Sequence, residues 1–305
     1  MLKKMVDVSA SINFSKEEKR PYVLGALLEH VKGESVRGDA VSELSESLSD
    51  AGFQSDTDDA SDKDIDGNGS GKNSNNEKSI SKKDNSKDDK IQGESGSIDG
   101  TLSIIRMVST DSKRLYSFDM VFSGDFEIPE EGVIIPKKGL SELGKFLNNS
   151  HSVNIGIKNN HFIVKRDNET MMIKLLEGEY PDYRRVLNVT GFIPIHINRT
   201  VFMMMMKRMS ILVSDDFKSV IFNFKENELV ATITNPEIGE SKEVIAIGYT
   251  GDYVESAFNP KYFIEVLNAM KGDDVIVSIK DNRNPCIIKG HDDKGFVCAI
   301  MAMSV

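Results

Sequence analysis

The sequence contains no tryptophan, only two cysteines and no long apolar run. Cys286 and Cys298 lack the spacing of a metal site, and such sparse use of cysteine is typical of a reduced, cytosolic protein. A disulfide between them would require their strands to be neighbours. The longest apolar run, residues 201–206, is far shorter than the ~20 residues of a membrane-spanning helix. The first residues also lack the apolar segment of a secretory signal. Together these absences predict a cytoplasmic protein.

Catalytic signatures are lacking as well. The sequence has no Gly-rich phosphate loop, no zincin pattern and no Ser/His/Asp or Cys/His motif. Its five histidines are scattered along the chain, at positions 30, 151, 161, 196 and 291. Only residues brought together by folding could still form a catalytic site. We therefore expect a binding protein that is not an enzyme and that uses no cofactor or metal.

The negative charge is concentrated in one segment. Of the net charge of -10, residues 36–98 supply -7, because they hold 15 Asp+Glu against 8 Lys+Arg. Residues from about 34 to 99 are polar and aperiodic, which predicts disorder, since such a segment cannot bury enough apolar surface. Within them, Asp62, Asp64 and Asp66 match the front half of a calcium loop, but Asn73 replaces the bidentate Glu. We favour acidic low complexity over a calcium site.

The rest of the chain predicts an α+β fold. Alternating apolar residues predict strands at 101–109, 113–122, 133–136, 153–157, 161–165, 170–176, 217–224, 228–234, 243–249 and 253–258. One helix is predicted with Pro136 in its first turn, and another over residues 197–213 with a methionine-rich apolar face. Residues 2–13 predict helical turns. Residues 22–31 are compatible with either a strand or a helix.

The pattern repeats at a domain-sized offset. Residues 135–140 match residues 259–264, and residues 153–158 match residues 275–280. In each copy a helix is followed by three strands, at an offset of 122–124 residues. The sequence therefore predicts a duplicated α+β unit with antiparallel strands.

A stiff segment lies between the two copies. Residues 177–187 contain one proline, two tyrosines, two arginines and three acids. Pro181 fixes its own φ and favours an extended conformation at the preceding residue. We interpret this segment as a connector between two domains, residues 1–187, interrupted by the acidic segment, and residues 188–305.

Basic residues are concentrated on the predicted helices. They are Lys3, Lys4, Lys137, Lys138, Lys145, Arg199, Lys207, Arg208, Lys261 and Lys271, against three acids, Asp7, Glu142 and Glu265. If all helices line one side of the sheets, that side is positive and suits a phosphate backbone without reading its sequence. The alternative is that helices simply accommodate lysine well.

Several stretches resemble the bacterial β sliding clamp, the processivity subunit of DNA polymerase III. They are residues 108–115, 133–147, 177–187, 210–217, 258–268 and 300–305, and they occur in the order and at the spacing of the family. The resemblance implies a DNA-clamp fold with two duplicated clamp domains, antiparallel sheets outside and helices on the DNA-facing side. It also implies a function without catalysis, in which the clamp encircles DNA and tethers other proteins.

The resemblance assigns site residues as well. Family partners insert a short peptide into an apolar cleft, which here would be lined by Val23, Thr110, Arg114, Leu115, Pro181, Arg185, Val186, Phe217, Asn259, Tyr262, Met301 and Met303. The DNA-facing residues would be Lys3, Lys4, Tyr22, Lys137, Lys138, Arg199, Lys207 and Lys261. The subunit interface would include Ile211 and Leu212. Expected partners are duplex DNA, the polymerase III catalytic subunit, the clamp loader and other proteins with clamp-binding motifs, with no membrane partner.

This sequence departs from the family in several places. Ser112 and Lys113 stand where the family has Gly-His, and Ala302 and Ser304 replace a proline and a base near the end. The family's first domain, and the strand that opens its second, have no counterpart here. Three hypotheses follow: a shortened clamp, a clamp that closes as a homo-oligomer or with a full-length clamp, and a non-encircling module that captures clamp-binding peptides.

Overall fold

The computed structural model describes residues 1–12, 20–31, 103–122, 127–148 and 152–303. The acidic segment predicted at about 34–99 and its calcium-like motif lie outside these residues. Within the described ranges, no helix is long and apolar enough to cross a membrane.

Among the residues that the structure describes, the first unit contains three helical segments and seven strands. In chain order these are α1 (Leu2–Ser11), α2 (Pro21–Leu24), β1 (Gly25–Val31), β2 (Ser103–Thr110), β3 (Arg114–Phe122), β4 (Val133–Pro136), α3 (Lys137–Phe146), β5 (Asn154–Lys158), β6 (His161–Arg166) and β7 (Glu169–Lys174). The ambiguous residues 22–31 thus divide into one helical turn followed by a strand. The predicted α+β class is confirmed.

The second unit contains two helices and eight strands. They are β8 (Ile193–Asn198), α4 (Arg199–Met209), which runs into a 3-10 turn (Ser210–Leu212), β9 (Val220–Lys225), β10 (Glu228–Asn235), β11 (Gly239–Ala246), β12 (Val254–Phe258), α5 (Pro260–Ala269), β13 (Asp274–Ile279), β14 (Cys286–Gly290) and β15 (Phe296–Ile300). Strand β8 was not predicted. It occupies the first two residues of the predicted helix 197–213, which begins at Arg199 instead.

One antiparallel sheet joins the two units. Its eight strands lie in the order β4-β1-β2-β3-β15-β14-β13-β8, and the junction is the pairing of β3 with β15. The second unit adds a four-stranded sheet, β11-β10-β9-β12, and the first adds a three-stranded sheet, β5-β6-β7. Helices α1 and α3 pack on each other in the first unit, and α4 and α5 do so in the second.

Period-two alternation gives the large sheet two buried faces. On β1, Ala26 and Leu28 join the main core with the helices, whereas Leu27 joins a second cluster on the opposite face. On β15, Cys298 faces the main core and Ala299 faces the second cluster. Tyr183 of the connector covers that second cluster. The connector therefore lies on the face of the sheet opposite the helices.

The repeat is confirmed, but its helical register differs by one residue from the sequence alignment. Leu140, Leu143 and Gly144 on α3 and its C-cap Leu147 are buried, and Phe263, Val266 and Leu267 on α5 and its C-cap Met270 are buried at the same spacing. This offset of 123 equates Pro136 with Asn259, the residue before each helix. Pro136 is thus a cap residue, and the prediction that it lies in the first turn is wrong. Pro260 does occupy the first helical position.

The two cysteines lie on neighbouring strands without forming a disulfide. Cys286 pairs with Ile300, and Cys298 pairs with Ile288, so the two thiols are offset along β14 and β15. Both are free and buried, and burial raises the pKa of each thiol.

Candidate functional site

The end of the described chain crosses the seam between the two units. After β15, the Met301 N–H donates to the Lys113 carbonyl at 2.8 Å, which ties the chain to the turn between β2 and β3. Two residues later the Met303 N–H donates to the Ala257 carbonyl at 2.8 Å, on β12. This crossing brings the predicted cleft residues of the first unit beside those of the second.

Arg114 is the charged centre of this seam. Its side chain is 2% exposed and forms ion pairs with Asp111 at 3.2 Å and Glu265 at 2.6 Å. The guanidinium also lies 4.6 Å from the ring centroid of Tyr262, on α5. Burial by itself would lower the pKa of Arg114, but Tyr116, Glu265 and Asp111 outweigh it, so the pKa is raised. A fixed cation therefore joins the first unit to helix α5.

The tight turn before Arg114 is closed by its own side chains. The Thr110 hydroxyl donates to the Arg114 carbonyl at 2.7 Å and accepts from the Ser112 N–H at 3.0 Å. Asp111 accepts from the backbone N–H of Lys113 and Arg114 at 3.0 and 2.9 Å. Ser112 has φ 68°, the left-handed region that glycine adopts without strain. The glycine of the family at this position fits that backbone.

Asn259 positions Tyr262 at the start of α5. The Asn259 side chain caps the helix by accepting from the Lys261 N–H at 3.0 Å, and Pro260 follows in the first helical position. The Tyr262 N–H donates to the Asn259 carbonyl at 3.2 Å. Tyr262 is half-buried, so its ring contacts Arg114 on one side and remains accessible on the other.

An apolar wall lies on the connector side. Leu115 and Val186 belong to the same cluster beneath the connector. The Tyr180 hydroxyl donates to the Val108 carbonyl at 3.0 Å, and its ring meets the edge of Tyr22 at 6.1 Å. Val23, on the short helix α2, is buried. These contacts hold connector and sheet together.

Three other predicted cleft residues lie at the margin. Pro181 and Arg185 are exposed on the connector, and Arg185 pairs with Asp182 at 3.2 Å. Phe217 is 36% exposed, in a turn where its carbonyl accepts from the Ser214 N–H at 3.0 Å. The structure thus brings Arg114, Tyr262, Asn259 and the chain end together, while these three residues are exposed.

The sequence analysis missed Asp111 and Glu265 as partners of Arg114. A usable signal existed for Glu265, because it lies three residues after Tyr262 and so shares its helix face. No comparable signal identified its ion pair with a residue 151 positions earlier in the chain.

The predicted DNA-facing cations differ in whether they bind acceptors within the protein. Lys4 pairs with the buried carboxylate of Asp293, and Lys137 donates to the Ile12 carbonyl at 2.6 Å. Burial and, after it, the charge of Arg114 lower the pKa of Lys137. Arg199 donates to the Leu267 carbonyl at 3.1 Å. These three cations bind internal acceptors.

The remaining DNA-facing candidates are more accessible. Lys138, Lys207 and Lys261 are exposed on α3, α4 and α5 respectively. Lys3 pairs with Asp7 on α1, and Tyr22 is half-buried against Tyr180. Within the described part of the chain, α3, α4 and α5 therefore each carry an exposed lysine for which no ion pair is found.

The predicted subunit-interface residues form part of an exposed apolar edge. Ile211 is 72% exposed in the 3-10 turn after α4, and Leu212 beside it is half-buried. This turn contacts β11, the edge strand of the four-stranded sheet, on which Val244 is 53% exposed. Among the described residues, no group of three or more His, Cys, Asp or Glu side chains is placed to hold a metal ion.

Family models match both units. The model of the DNA polymerase III beta subunit central domain matches residues 79–182, and that of its C-terminal domain matches residues 185–304. Curated relatives include the beta sliding clamp of Haemophilus influenzae, 33% identical over 201 residues, which are 66% of this chain and 54% of that protein. The beta sliding clamp of Vibrio cholerae is 31% identical over 218 residues, 67% of this chain and 55% of that protein. The chain thus spans about half the length of the curated relatives it matches.

Solved structures agree on the fold. A DnaN sliding clamp from Bartonella birtlesii bound to griselimycin superposes with a TM-score of 0.71 at 21% identity, covering 100% of this chain and 64% of that one. A DNA polymerase III beta subunit described as putative, from Eubacterium rectale, gives a TM-score of 0.59 at 27% identity, covering 66% of this chain and 55% of that one. The sliding-clamp fold is therefore confirmed.

Proposed function

This chain belongs to the family of bacterial DNA polymerase III beta subunits, and on that premise we propose that it acts as a sliding-clamp polypeptide. In this role it tethers the replicative polymerase and other factors to duplex DNA in the cytoplasm, and it catalyses no reaction itself. The observation that carries the proposal is the contact of Arg114 with Tyr262 and Glu265 at the seam. Both units contribute to it, among the residues to which the resemblance assigns the peptide cleft.

The chemistry of the seam suits an apolar peptide segment. The half-buried Val186, packed on the buried Leu115, supplies aliphatic surface, and the half-buried Tyr262 and Met301 supply polarisable surface that adapts to side chains of different shape. The Thr110 side chain is already hydrogen-bonded within the turn before Arg114, and the Asn259 side chain already caps helix α5. They therefore hold the walls of the cleft in place, and we assign them a supporting role.

The helix side supplies the proposed DNA contact. Lys138, Lys207 and Lys261 are exposed on separate helices, an arrangement that neutralises phosphates without reading bases. Ring closure would use the apolar edge around Ile211 and β11, as a homo-oligomer or with a full-length clamp. Burial of exposed apolar side chains there would stabilise the contact.

One observation favours the second candidate function, a non-encircling module that captures clamp-binding peptides. Lys4, Lys137 and Arg199 bind internal acceptors, which leaves fewer cations for DNA than the sequence suggested. The peptide cleft does not depend on those three residues. A protein with the cleft but weak DNA affinity would fit this candidate.

Peptide binding is the direct test. We expect a labelled clamp-binding peptide of the polymerase III catalytic subunit to bind with micromolar or tighter affinity in fluorescence anisotropy. Tyr262→Ala, or removal of residues 301–305, should raise Kd by about tenfold or more, because each removes part of the cleft. Tyr253→Ala is the matched control, since Tyr253 is 59% exposed on the second unit and contacts Asn223 and Glu255 instead.

DNA binding separates the two candidates. Replacing Lys138, Lys207 and Lys261 together by Glu should abolish salt-dependent binding to duplex DNA and leave peptide Kd unchanged. If the unaltered chain binds the peptide but shows no salt-dependent DNA binding, the capture module is the better description. If the chain does not bind the peptide, both candidates are wrong.

A further inference from the structure

A row of charged residues crosses the face of the large sheet that the connector covers. Glu29, Arg106 and Asp119 are direct cross-strand neighbours on β1, β2 and β3. The Arg106 guanidinium donates two hydrogen bonds of 2.6 Å each to the Asp119 carboxylate. Glu29 is only 4% exposed, so its charge requires partners. Because Arg106 is committed to Asp119, those partners come from elsewhere.

The connector supplies the partners of Glu29. The Tyr183 hydroxyl donates to one carboxylate oxygen of Glu29, and Arg184 donates to the other at 2.8 Å. The Arg184 guanidinium also lies 5.1 Å from the centroid of the Tyr183 ring. Arg106 reaches the same Tyr183 hydroxyl at 3.4 Å. Two consecutive connector residues thus hold one buried carboxylate.

The cluster is balanced in charge. Two carboxylates, Glu29 and Asp119, face two guanidinium groups, Arg106 and Arg184. Burial raises the pKa of Tyr183, an effect partly offset by Arg106, so the phenol keeps its proton and remains a donor to Glu29. A fully partnered buried network of this kind fixes geometry more than it adds stability.

The cluster lies directly behind two predicted cleft residues. The Val186 N–H donates to the Tyr183 carbonyl at 2.9 Å, which closes a turn that contains Arg184 and Arg185. Val186 then packs in the same apolar cluster as Tyr183 and Leu115. Whatever fixes Tyr183 and Arg184 therefore also fixes the direction of the two residues that follow.

We propose that Glu29 is a positioning residue for the peptide cleft, acting through Tyr183 and Arg184 on Arg185 and Val186. This proposal rests on the proposed peptide-binding function and adds residues that touch no peptide themselves. In this proposal the Glu29 carboxylate, on a strand remote in sequence, fixes the connector through its hydrogen bonds to Tyr183 and Arg184. We call these two contacts the latch. Peptide affinity should then depend on a residue on the face of the sheet opposite the helices.

The test measures peptide affinity and connector protection in the same variants. Glu29→Ala should raise the Kd of the labelled polymerase peptide by about tenfold, and Tyr183→Phe by about threefold, because each frees the connector to sample other conformations. Glu29→Gln should largely restore affinity, since its amide oxygen still accepts from Tyr183. Hydrogen exchange across residues 180–187 should quicken in Glu29→Ala.

Two controls separate positioning from general destabilisation. Glu243→Ala breaks a comparable pair, in which Arg208 donates two hydrogen bonds of 2.6 Å on the second unit, and should leave peptide Kd unchanged. In a Val186→Ala background, Glu29→Ala should add little further loss, because both changes act on the same contact. Arg184→Ala, at a side chain that is 60% exposed, tests the latch if Glu29→Ala does not fold.

The outcomes distinguish this proposal from the proposed function. If the unaltered chain binds the peptide and Glu29→Ala and Arg184→Ala bind it equally well, the latch is overturned while the function stands. If the unaltered chain does not bind the peptide, the function fails, and hydrogen exchange alone decides the latch. Unchanged exchange across residues 180–187 in Glu29→Ala would then overturn it too.

Discussion

The two units share a plan but differ in how completely their sheets are covered. In the second unit, β8 pairs with the outer edge of β13, and Val275, Val277 and Ile279 are fully buried. In the first unit β5 matches β13, but among the described residues no strand pairs with its outer edge. The matching residues Val153, Ile155 and Ile157 are correspondingly only half-buried. One edge strand therefore decides whether the same apolar pattern becomes a complete core.

The two helix pairs also differ, and again the second unit is the more completely packed. Equivalent positions on the two packed helix pairs carry Ser9 and Gly144 in the first unit and Met206 and Leu267 in the second, all of them buried. Asn198 and Asn259 cap the helices of the second unit, whereas α1 and α3 have no side-chain cap. The second unit thus has larger core residues and better helix starts. We expect it to be the more stable of the two.

The largest effect should come from the aromatic core of the second unit. Phe263 is fully buried, with ring centroids of Phe202, Phe222 and Phe258 between 5.3 and 5.6 Å away. Phe263→Ala should lower the free energy of unfolding by about 3–5 kcal/mol, because it leaves a cavity. Urea denaturation measures this loss. Phe217→Ala is the control, and an equal loss there would argue against the burial assigned to both rings.

The second prediction compares the two edges directly. Ile279→Ala should cost about 2–5 kcal/mol, because Ile279 is fully buried on β13, whose outer edge is paired with β8. Ile157→Ala, at the matching position on β5, should cost roughly half as much, since its side chain already contacts solvent. Equal losses in urea denaturation would mean that something else covers the β5 edge in solution.

Replacing Gly144 of the first unit by leucine, the residue of the second unit, should show a further difference in packing between the units. A Cβ atom on Gly144 would lie 2.6 Å from the Asp7 carboxylate, so α1 and α3 approach closely there. Gly144→Leu, which introduces the residue of the second unit, should cost about 1–3 kcal/mol through overpacking. Gly156→Ala is the control, because no atom lies within 4 Å of its Cβ position. A neutral Gly144→Leu in thermal unfolding would contradict this packing.

The smallest effect should come from the helix caps. Asn259→Ala removes the acceptor for the Lys261 N–H and should cost about 1 kcal/mol. Pro136→Ala, at the equivalent position of the first unit, removes no cap bond and should change unfolding by less. A calorimetric comparison of the two variants checks this. Equal changes in the unfolding of the two variants would mean that helix capping does not distinguish the two units.

Most strands were predictable because alternation depends only on neighbouring residues. Strand β8 was not predicted, and it contains Pro194, a residue that is unusual in a strand interior. The structure tolerates Pro194, opposite Ser278, because β8 is the edge strand of the large sheet and one side of it needs no donor. Residues 22–31 were ambiguous for a related reason. Residues 25–31 became a strand through pairing with both β2 and β4, which no local pattern encodes, while residues 22–24 lie in the helical turn α2.

The candidate site likewise contains residues that could be predicted from the sequence and contacts that only the structure reveals. The resemblance to the family indicated Arg114 and Tyr262, and the proline and charge pattern of residues 177–187 indicated the connector. The sequence analysis assigned Lys4 and Lys137 to the DNA-facing side without revealing that both charges bind internal acceptors. It gave no sign of Glu29, which lies 154 positions from Tyr183 in the chain. Such pairs depend on which strands become neighbours.

The sequence by itself determined the period of most elements, the repeat and the family to which the chain belongs. Those properties are local or duplicated, so they are visible wherever the residues stand. Only the tertiary structure decided which apolar stripes are fully covered and which charges find partners. Coverage and pairing depend on strand order and on the approach of distant segments, and that order is set by the whole chain at once.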